Sequence, residues 1–214
     1  MVHLVAVFGI HDFALFLASG ILLNLAPGPD TAYILGRSVA QGRAAGIASA
    51  VGITVGSIFH TCAAALGLSA FLATSAWAFS AIKLIGGGYL IFLGIKLILE
   101  RGQQFRVPSD FSRSNSGAAF RQGILTNLLN PKVALFFLAF LPQFIDPSST
   151  AKIPAFLALG LTFVTTGTIW CVILAWFAAA FSQRLRANRK ISQWLNRAIG
   201  SLFVFLGARL ATTR

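Results

Sequence analysis

The segment "LLNLAPGPD" (residues 22–30) places two prolines and an aspartate inside an apolar run that covers residues 13–35. Proline removes a backbone donor and clashes with the preceding turn, so Pro27-Gly28-Pro29 is predicted to break any helix that this run forms. A run of about 20 residues matches the hydrocarbon thickness of a bilayer. The segment therefore predicts a transmembrane helix that is interrupted near its middle.

Five further apolar runs follow the first one, at residues 46–73, 76–99, 123–145, 153–181 and 194–211. The chain is 57% apolar and 10% charged, with a mean hydropathy of +0.80, which leaves too little polar surface for a soluble domain. The runs are continuous and do not alternate with period two, which favours helices over a barrel. We therefore predict an all-α membrane protein, residues 1–214, with six transmembrane helices.

Short matches relate the two halves of the chain. "LLNLAPGPD" resembles "LTNLLNPKV" (residues 125–133) with Asn24 over Asn127, "GIT" at 52–54 resembles "GLT" at 160–162, and "FLGIKL" at 92–97 resembles "FLGARL" at 205–210. The matches occur in the same order in both halves, which predicts two three-helix repeats at residues 1–99 and 118–214. The polar stretch at 100–117 is then the cytoplasmic linker. Three helices per repeat turn the second repeat upside down in the membrane.

The second repeat also has a broken helix, because Asn130-Pro131 interrupts the fourth run. An ionisable residue follows each break, Asp30 after Pro29 and Lys132 after Pro131. Inverted-repeat transporters bind their substrates near the midplane at such breaks, and a charge at that depth costs roughly 2.5–3.5 kcal/mol on insertion scales. The predicted substrate-binding or gating residues are Asn24, Pro27, Gly28, Pro29, Asp30, Asn127, Asn130, Pro131 and Lys132.

Two readings of these charges stay open at this point. In the first, Lys132 or freed amides hold a carboxylate, while Asp30 or freed carbonyls hold an ammonium group. In the second, Asp30 and Lys132 form a structural pair or extend to a membrane interface.

The roles of His60 and of the glycines in the second run also have alternative interpretations. His60 and Asp30 are candidates for a proton relay, since histidine titrates near pH 6.5, although a hydrogen-bonded packing role also fits His60. Gly52 and Gly56 form a GxxxG step that suits close packing within the chain or in a homodimer.

The net charge of +12 does not indicate a nucleic-acid partner, because the basic residues lie at the ends of apolar runs. Twelve of the 17 lie in the first, third and fifth connections, including Arg37 and Arg43 in the first. The positive-inside rule places these connections in the cytoplasm and both termini outside the bacterial inner membrane. The residues before Arg37 include no basic region of a cleavable signal peptide, so we expect the first helix to be retained.

The chain resembles the RhtB/LysE family of amino-acid exporters in four stretches. These are "APGPD" (26–30), "GRSVAQGRAAGIASAVGITVG" (36–56), "GGGYLIFLGIKLI" (86–98) and "NLLNPKVALFFLAFLPQF" (127–144). The resemblance implies a six-helix exporter driven by the proton gradient, with neutral amino acids of the homoserine, threonine or leucine kind, or derivatives, as substrates. It carries over to Pro27, Gly28, Pro29, Asn130, Pro131 and Lys132.

Other function classes fit the residues less well. A metal-ion exporter on the same scaffold is the main alternative, although only Asp30 among five acidic residues is placed to bind a hard cation at the midplane. A thiol-disulfide carrier requires cysteines at the broken helices, whereas Cys62 and Cys171 lie in runs two and five. An intramembrane enzyme would need a nucleophile or metal cluster that the sequence does not suggest. We expect no cofactor and no bound metal.

The predicted orientation can be tested by cysteine labelling of intact cells. A membrane-impermeant reagent should modify a cysteine placed at Ser148 or near the C-terminus, and should leave one at Ser109 unmodified because that loop is cytoplasmic. Labelling at Ser109 in intact cells would contradict the topology.

Overall fold

The computed structural model describes residues 8–68, 115–178 and 189–212, together with single positions between 84 and 99. Every regular element in these ranges is helical, and one isolated bridge joins Ile10 to Ile145. The prediction of an all-α protein is therefore confirmed for this part of the chain.

Seven α-helices lie in the continuous ranges. They are α1 (Phe13–Leu25), α2 (Pro29–Gln41), α3 (Arg43–Ala63), α4 (Ser116–Leu128), α5 (Pro131–Leu135), α6 (Lys152–Trp176) and α7 (Arg189–Thr212). A π-helical turn, Ala64–Leu68, continues α3. A second π-helical turn, Phe136–Phe140, and a 3₁₀ turn, Leu141–Phe144, continue α5. The described positions between 84 and 99 are also helical.

Two of these helical segments, Arg43–Leu68 and Lys152–Trp176, are each long and apolar enough to cross a membrane. Two further candidates are bent pairs, α1 with α2 at 46° and α4 with Pro131–Phe144 at 47°. The described residues thus contain two to four candidate spans, and the count of six stays a prediction.

The two bends lie where the prolines predict them. Helix α1 ends because the helical partner of the Leu23 carbonyl would be Pro27, which has no N–H. Pro29 then occupies the first turn of α2, where its missing donor costs nothing. At the second bend, the Asn130 side chain caps α5 by accepting a hydrogen bond from the Lys132 amide at 3.1 Å.

Several helices extend beyond the apolar runs that predicted them. The first run was expected to end at residue 35, but α2 continues to Gln41, and Gly42 with φ of 85° leads directly into α3. Arg37, assigned to a cytoplasmic connection, is therefore a buried residue of α2. Helices α4 and α7 begin before the predicted positions 123 and 194, at Ser116 and Arg189. Hydropathy misses these polar turns because a helix keeps its backbone hydrogen bonds where its side chains are polar.

Glycines bring α3 close to α4. A Cβ on Gly52 would lie 2.1 Å from the Phe120 carbonyl oxygen, and one on Gly56 would lie 2.8 Å from the Asn127 side chain. Gly123 faces the same contact from α4, where a Cβ would lie 2.6 Å from the Ser49 carbonyl oxygen. Of the two readings of the GxxxG step, packing within the chain is the one observed.

Further contacts also join elements of the first half to elements of the second half. The hydroxyls of Thr54 and Thr168 lie 2.9 Å apart between α3 and α6. Gly94 lies against the backbone of Gly200, and Gly207 lies against the backbone of Gly87. Going from Gly87 to Gly94, the contact in α7 moves backward along the chain from Gly207 to Gly200. The two helices therefore run antiparallel.

Large apolar side chains cover much of the outer surface of the candidate spans, which suits a lipid environment. They include Val51, Phe59, Leu125, Leu138, Leu161 and Ile169. The interior contains an aromatic cluster between α1, α6 and the π turn after α5. Its members are Phe16, Phe136, Phe137, Phe140, Phe144 and Phe163.

The glycine contact between α3 and α4 predicts a specific sensitivity. Gly52→Ala places a methyl group on the Phe120 carbonyl, so it should destabilise the purified protein by about 1–3 kcal/mol or prevent folding. Gly67→Ala is the control, because a Cβ there meets nothing within 4 Å. Equal unfolding midpoints and yields for both variants in detergent would contradict the close contact between Gly52 and the Phe120 carbonyl.

Candidate functional site

A small cavity lies between the two bends. Its volume is about 30 Å³, enough for one or two water molecules. The polar lining comes from both halves of the chain and includes Asn24, Asp30, Ser57, Asn127, Lys132 and Thr168, while Ile53, Val133, Phe163 and Val164 provide apolar walls. Four of the predicted site residues, Asn24, Asp30, Asn127 and Lys132, therefore meet at one cavity.

Asp30 lies in the first turn of α2, where the positive end of the helix dipole favours a carboxylate. Its Oδ2 accepts a hydrogen bond from Asn127 Nδ2 at 2.8 Å. Its Oδ1 is buried and makes no hydrogen bond of ordinary geometry within the described residues, and neither does Nδ2 of Asn130, the side chain at the second bend that interacts with this carboxyl group. A buried carboxylate oxygen without such a bond indicates a place for a ligand or a water molecule.

Asn127 connects several groups around Asp30. Besides donating to that carboxylate, its Oδ1 accepts a hydrogen bond from Ser57 Oγ at 3.2 Å, and its backbone carbonyl lies 3.3 Å from His60 Nε2. The side chain is almost fully buried and lies against Gly56. The orientation of the Asp30 carboxylate thus depends on a residue of the opposite half.

Lys132 makes the reciprocal connection. Its ammonium group donates to the carbonyl oxygens of Leu23 at 3.1 Å and Ala26 at 3.0 Å, at the end of α1. Gly28 leaves room for this side chain, because a Cβ there would lie 3.2 Å from Lys132 Nζ. Asp30 and Lys132 do not form an ion pair within 4 Å; in the described structure, each binds groups at the other bend.

Asn24 lies on the α6 side of the cavity, whereas the three predicted prolines lie outside the cavity lining. Asn24 donates to Thr166 Oγ1 at 3.2 Å and lies against Gly167 of α6. Pro27, Pro29 and Pro131 shape the bends and do not line the cavity.

His60 faces a second, apolar hollow of about 370 Å³ between the two π turns. Its ring stacks on Phe137 with centroids 5.7 Å apart. The structure therefore does not bring His60 into contact with Asp30; the two residues bind different groups of Asn127.

A polar cluster that the sequence patterns did not predict lies between the end of α2 and the first half of α4. Arg37 is 2% exposed, and its guanidinium donates to Tyr33 Oη at 3.1 Å, to Gln41 and to Gln122. Tyr33 in turn donates to the Ala119 carbonyl oxygen at 2.9 Å. The i, i+4 spacing of Tyr33, Arg37 and Gln41 was the available signal for this cluster.

The aromatic cluster lies on the opposite side of the site. Phe136 and Phe163 stack with centroids 4.1 Å apart, and Phe16 meets Phe144 edge to face at 5.3 Å. Beyond the rings, the Asp146 amide donates to the Gly9 carbonyl oxygen at 2.8 Å. Two hydrogen bonds from Ser148 lower the pKa of the exposed Asp146 carboxyl. The cavity thus has the polar cluster on one side and the aromatic cluster on the other.

Comparisons with known proteins identify related membrane proteins. The family model described as LysE type translocator matches residues 21–214. An uncharacterized membrane protein of Vibrio cholerae is 32% identical over 96% of this chain and 98% of its own length. A leucine efflux protein of Klebsiella pneumoniae is 28% identical over 97% of this chain and 98% of its own length. No solved structure matches the chain.

The contacts of Asn127 predict its contribution to stability. Asn127→Ala removes the amide donor of a buried carboxylate oxygen, so it should lower the free energy of unfolding by about 1–3 kcal/mol. Thr126→Ala is the control on the neighbouring exposed position, whose hydroxyl bonds only to its own helix at Gln122. Thermal unfolding in detergent measures both variants, and equal midpoints would contradict this role for Asn127.

Proposed function

Because the chain belongs to the family of LysE-type translocators, we propose that it exports a neutral amino acid or a close derivative across the bacterial inner membrane. The observation that carries the proposal is the cavity between the two bends, where a buried carboxylate and an ammonium group come from opposite halves of the chain. Such a site carries no net charge from these two groups and offers complementary partners to a zwitterion.

The polar groups indicate how an amino acid would bind. Asp30 Oδ1 is available for the substrate ammonium group. The substrate carboxylate would bind Lys132 or amides at the start of α5, where the helix dipole is positive. Asn24 and Asn127 would orient these groups, Asn130 would hold the second bend, and Pro27, Gly28, Pro29 and Pro131 would keep both bends open.

The apolar wall favours a neutral side chain on the substrate. Ile53, Val133, Phe163 and Val164 border the polar groups and provide no partner for a second charge. The name of the Klebsiella relative, leucine efflux protein, supports the same class. Since the cavity holds only one or two water molecules, it must expand before a substrate binds.

The proposed scaffold is an inverted repeat of six helices, with repeats 1–99 and 118–214. The match of "FLGIKL" with "FLGARL" aligns Gly87 with Gly200 and Gly94 with Gly207. The observed contacts are Gly94 with Gly200 and Gly87 with Gly207, so exchanging the halves converts each contact into the other. This relation is the one expected for a pseudo-twofold axis, and it supports the proposal. The positive-inside pattern supports both termini outside.

Proton antiport is the proposed driving force, and Asp30 is its first candidate carrier because it lines the cavity. His60 can take part only through a rearrangement or water, since Asn127 separates it from Asp30. A homodimer is not needed for the site, because both bends come from one chain.

Metal-ion export is the second candidate function, and the site favours it less. No group of three or more His, Cys, Asp or Glu side chains suited to a metal ion occurs in the described part of the chain. A hard cation would find one carboxylate at the cavity and, beside it, the ammonium group of Lys132.

Efflux from preloaded cells tests the proposal. Cells that express the protein should release a labelled neutral amino acid faster than cells without it, and an uncoupler should abolish release against a concentration gradient. Asp30→Asn should reduce efflux about tenfold or more, because it removes the charge from a buried partner of the ammonium group. Asp146→Asn is the control at an exposed position outside the spans.

The results of the efflux experiment distinguish between the proposed functions and driving forces. Release of a metal ion and of no amino acid would replace the proposal with the metal alternative. Undiminished uphill efflux after uncoupling would contradict proton antiport. Normal efflux by well-expressed Asp30→Asn would show that the substrate binds elsewhere.

A further inference from the structure

The ammonium group of Lys132 lies at the carbonyl end of α1, at hydrogen-bond distance from the Leu23 and Ala26 oxygens. The Leu23 carbonyl has no N–H four residues on, because that residue is Pro27, and the backbone hydrogen bond that it accepts comes from the Ala26 amide at 3.2 Å. The last carbonyls of a helix carry the negative end of its dipole. The chain thus places a cation where the broken helix concentrates negative charge.

Carbonyl ends of broken helices within membranes are general sites for cations, because the surrounding hydrocarbon cannot solvate them. Here the cation is delivered by a side chain of α5, across the interface between the two halves. Gly28 is part of the arrangement, since a side chain there would meet both the ammonium group and Lys132 Cε, at 3.2 and 3.5 Å from its Cβ. The distances from Lys132 Nζ to the two carbonyl oxygens, the negative end of the helix dipole and the space left by Gly28 all suit an ammonium ion.

We propose that the carbonyl oxygens of Leu23 and Ala26 form a monovalent-cation site and that Lys132 is its tethered occupant. The protein consequently needs no free cation to hold the first bend. When the side chain is removed, the same oxygens bind a free cation from solution, either a small alkylammonium ion or sodium. The inference concerns the bend itself and holds whether or not the transported substrate is an amino acid.

The test is thermal unfolding of purified Lys132→Ala in detergent, in chloride salts of ethylammonium, sodium or choline at equal ionic strength. Ethylammonium restores the missing ammonium group and part of its alkyl chain, whereas choline is too bulky and has no N–H to donate. At about five times its Kd, the bound ion should raise the unfolding midpoint of the variant by about 2–4 °C relative to choline. Wild type should show no such difference, because its site is occupied.

Lys152→Ala is the matched control. Lys152 also donates to a carbonyl oxygen, that of Ser149 at 2.9 Å, but at the start of α6 beside an exposed loop where water can replace it. This variant should respond equally to all three salts. Lys132→Met, which keeps most of the alkyl chain without the charge and leaves space for a small ion only, serves as the second variant if Lys132→Ala does not fold, and sodium is then the ion compared with choline.

The three salts separate the outcomes. Stabilisation by ethylammonium alone supports a site built for an ammonium group, and stabilisation by sodium supports the cation site with a smaller occupant. Equal midpoints in all salts for the folded variant would overturn the proposal, as would the same salt preference in wild type or Lys152→Ala. Neither outcome depends on efflux, so failure of this inference is distinguishable from failure of the proposed function.

Discussion

A helix that is broken inside a bilayer must find new partners for the backbone groups that the break releases, because hydrocarbon offers none. In this protein, the partners of one bend come from the other. Lys132 binds the carbonyls that end α1, and Asn127, at the end of α4, binds the carboxylate that begins α2. Each bend is therefore satisfied only when the two halves are assembled, and the polar groups of the cavity follow from this requirement.

Such exchanges need close backbones, since an asparagine reaches only a short distance and a lysine needs a clear path. Gly56 lets Asn127 lie against α3, and Gly28 leaves the path of Lys132 open. Gly52 and Gly123 bring α3 and α4 together one turn away. The glycine content of these helices, which would weaken them in water, is thus a condition for the polar contacts between the halves.

The sequence predicted where the backbone bends, but it did not predict which side chains bind each other across the two halves. Prolines within apolar runs predicted both bends, since the loss of an N–H is a local property that needs no tertiary context. The binding of Lys132 to α1 could not be read in this way, because it depends on how α5 lies across α1. The same limit applies to Arg37, which hydropathy and the positive-inside rule placed in a loop. Its burial depends on Tyr33 and Gln122, and Gln122 lies 85 residues away.

The two clusters that flank the cavity differ in the free energy that separating their side chains would cost. At the end with Arg37, hydrogen bonds between side chains would be exchanged for hydrogen bonds to water, and the net change for such an exchange is small. At the other end, separating Phe16, Phe136 and Phe163 would expose apolar rings, which costs roughly 25 cal/mol per Å². Under the proposed orientation, the polar cluster faces the cytoplasm. The physical difference therefore favours opening toward the side from which an exporter takes up its substrate.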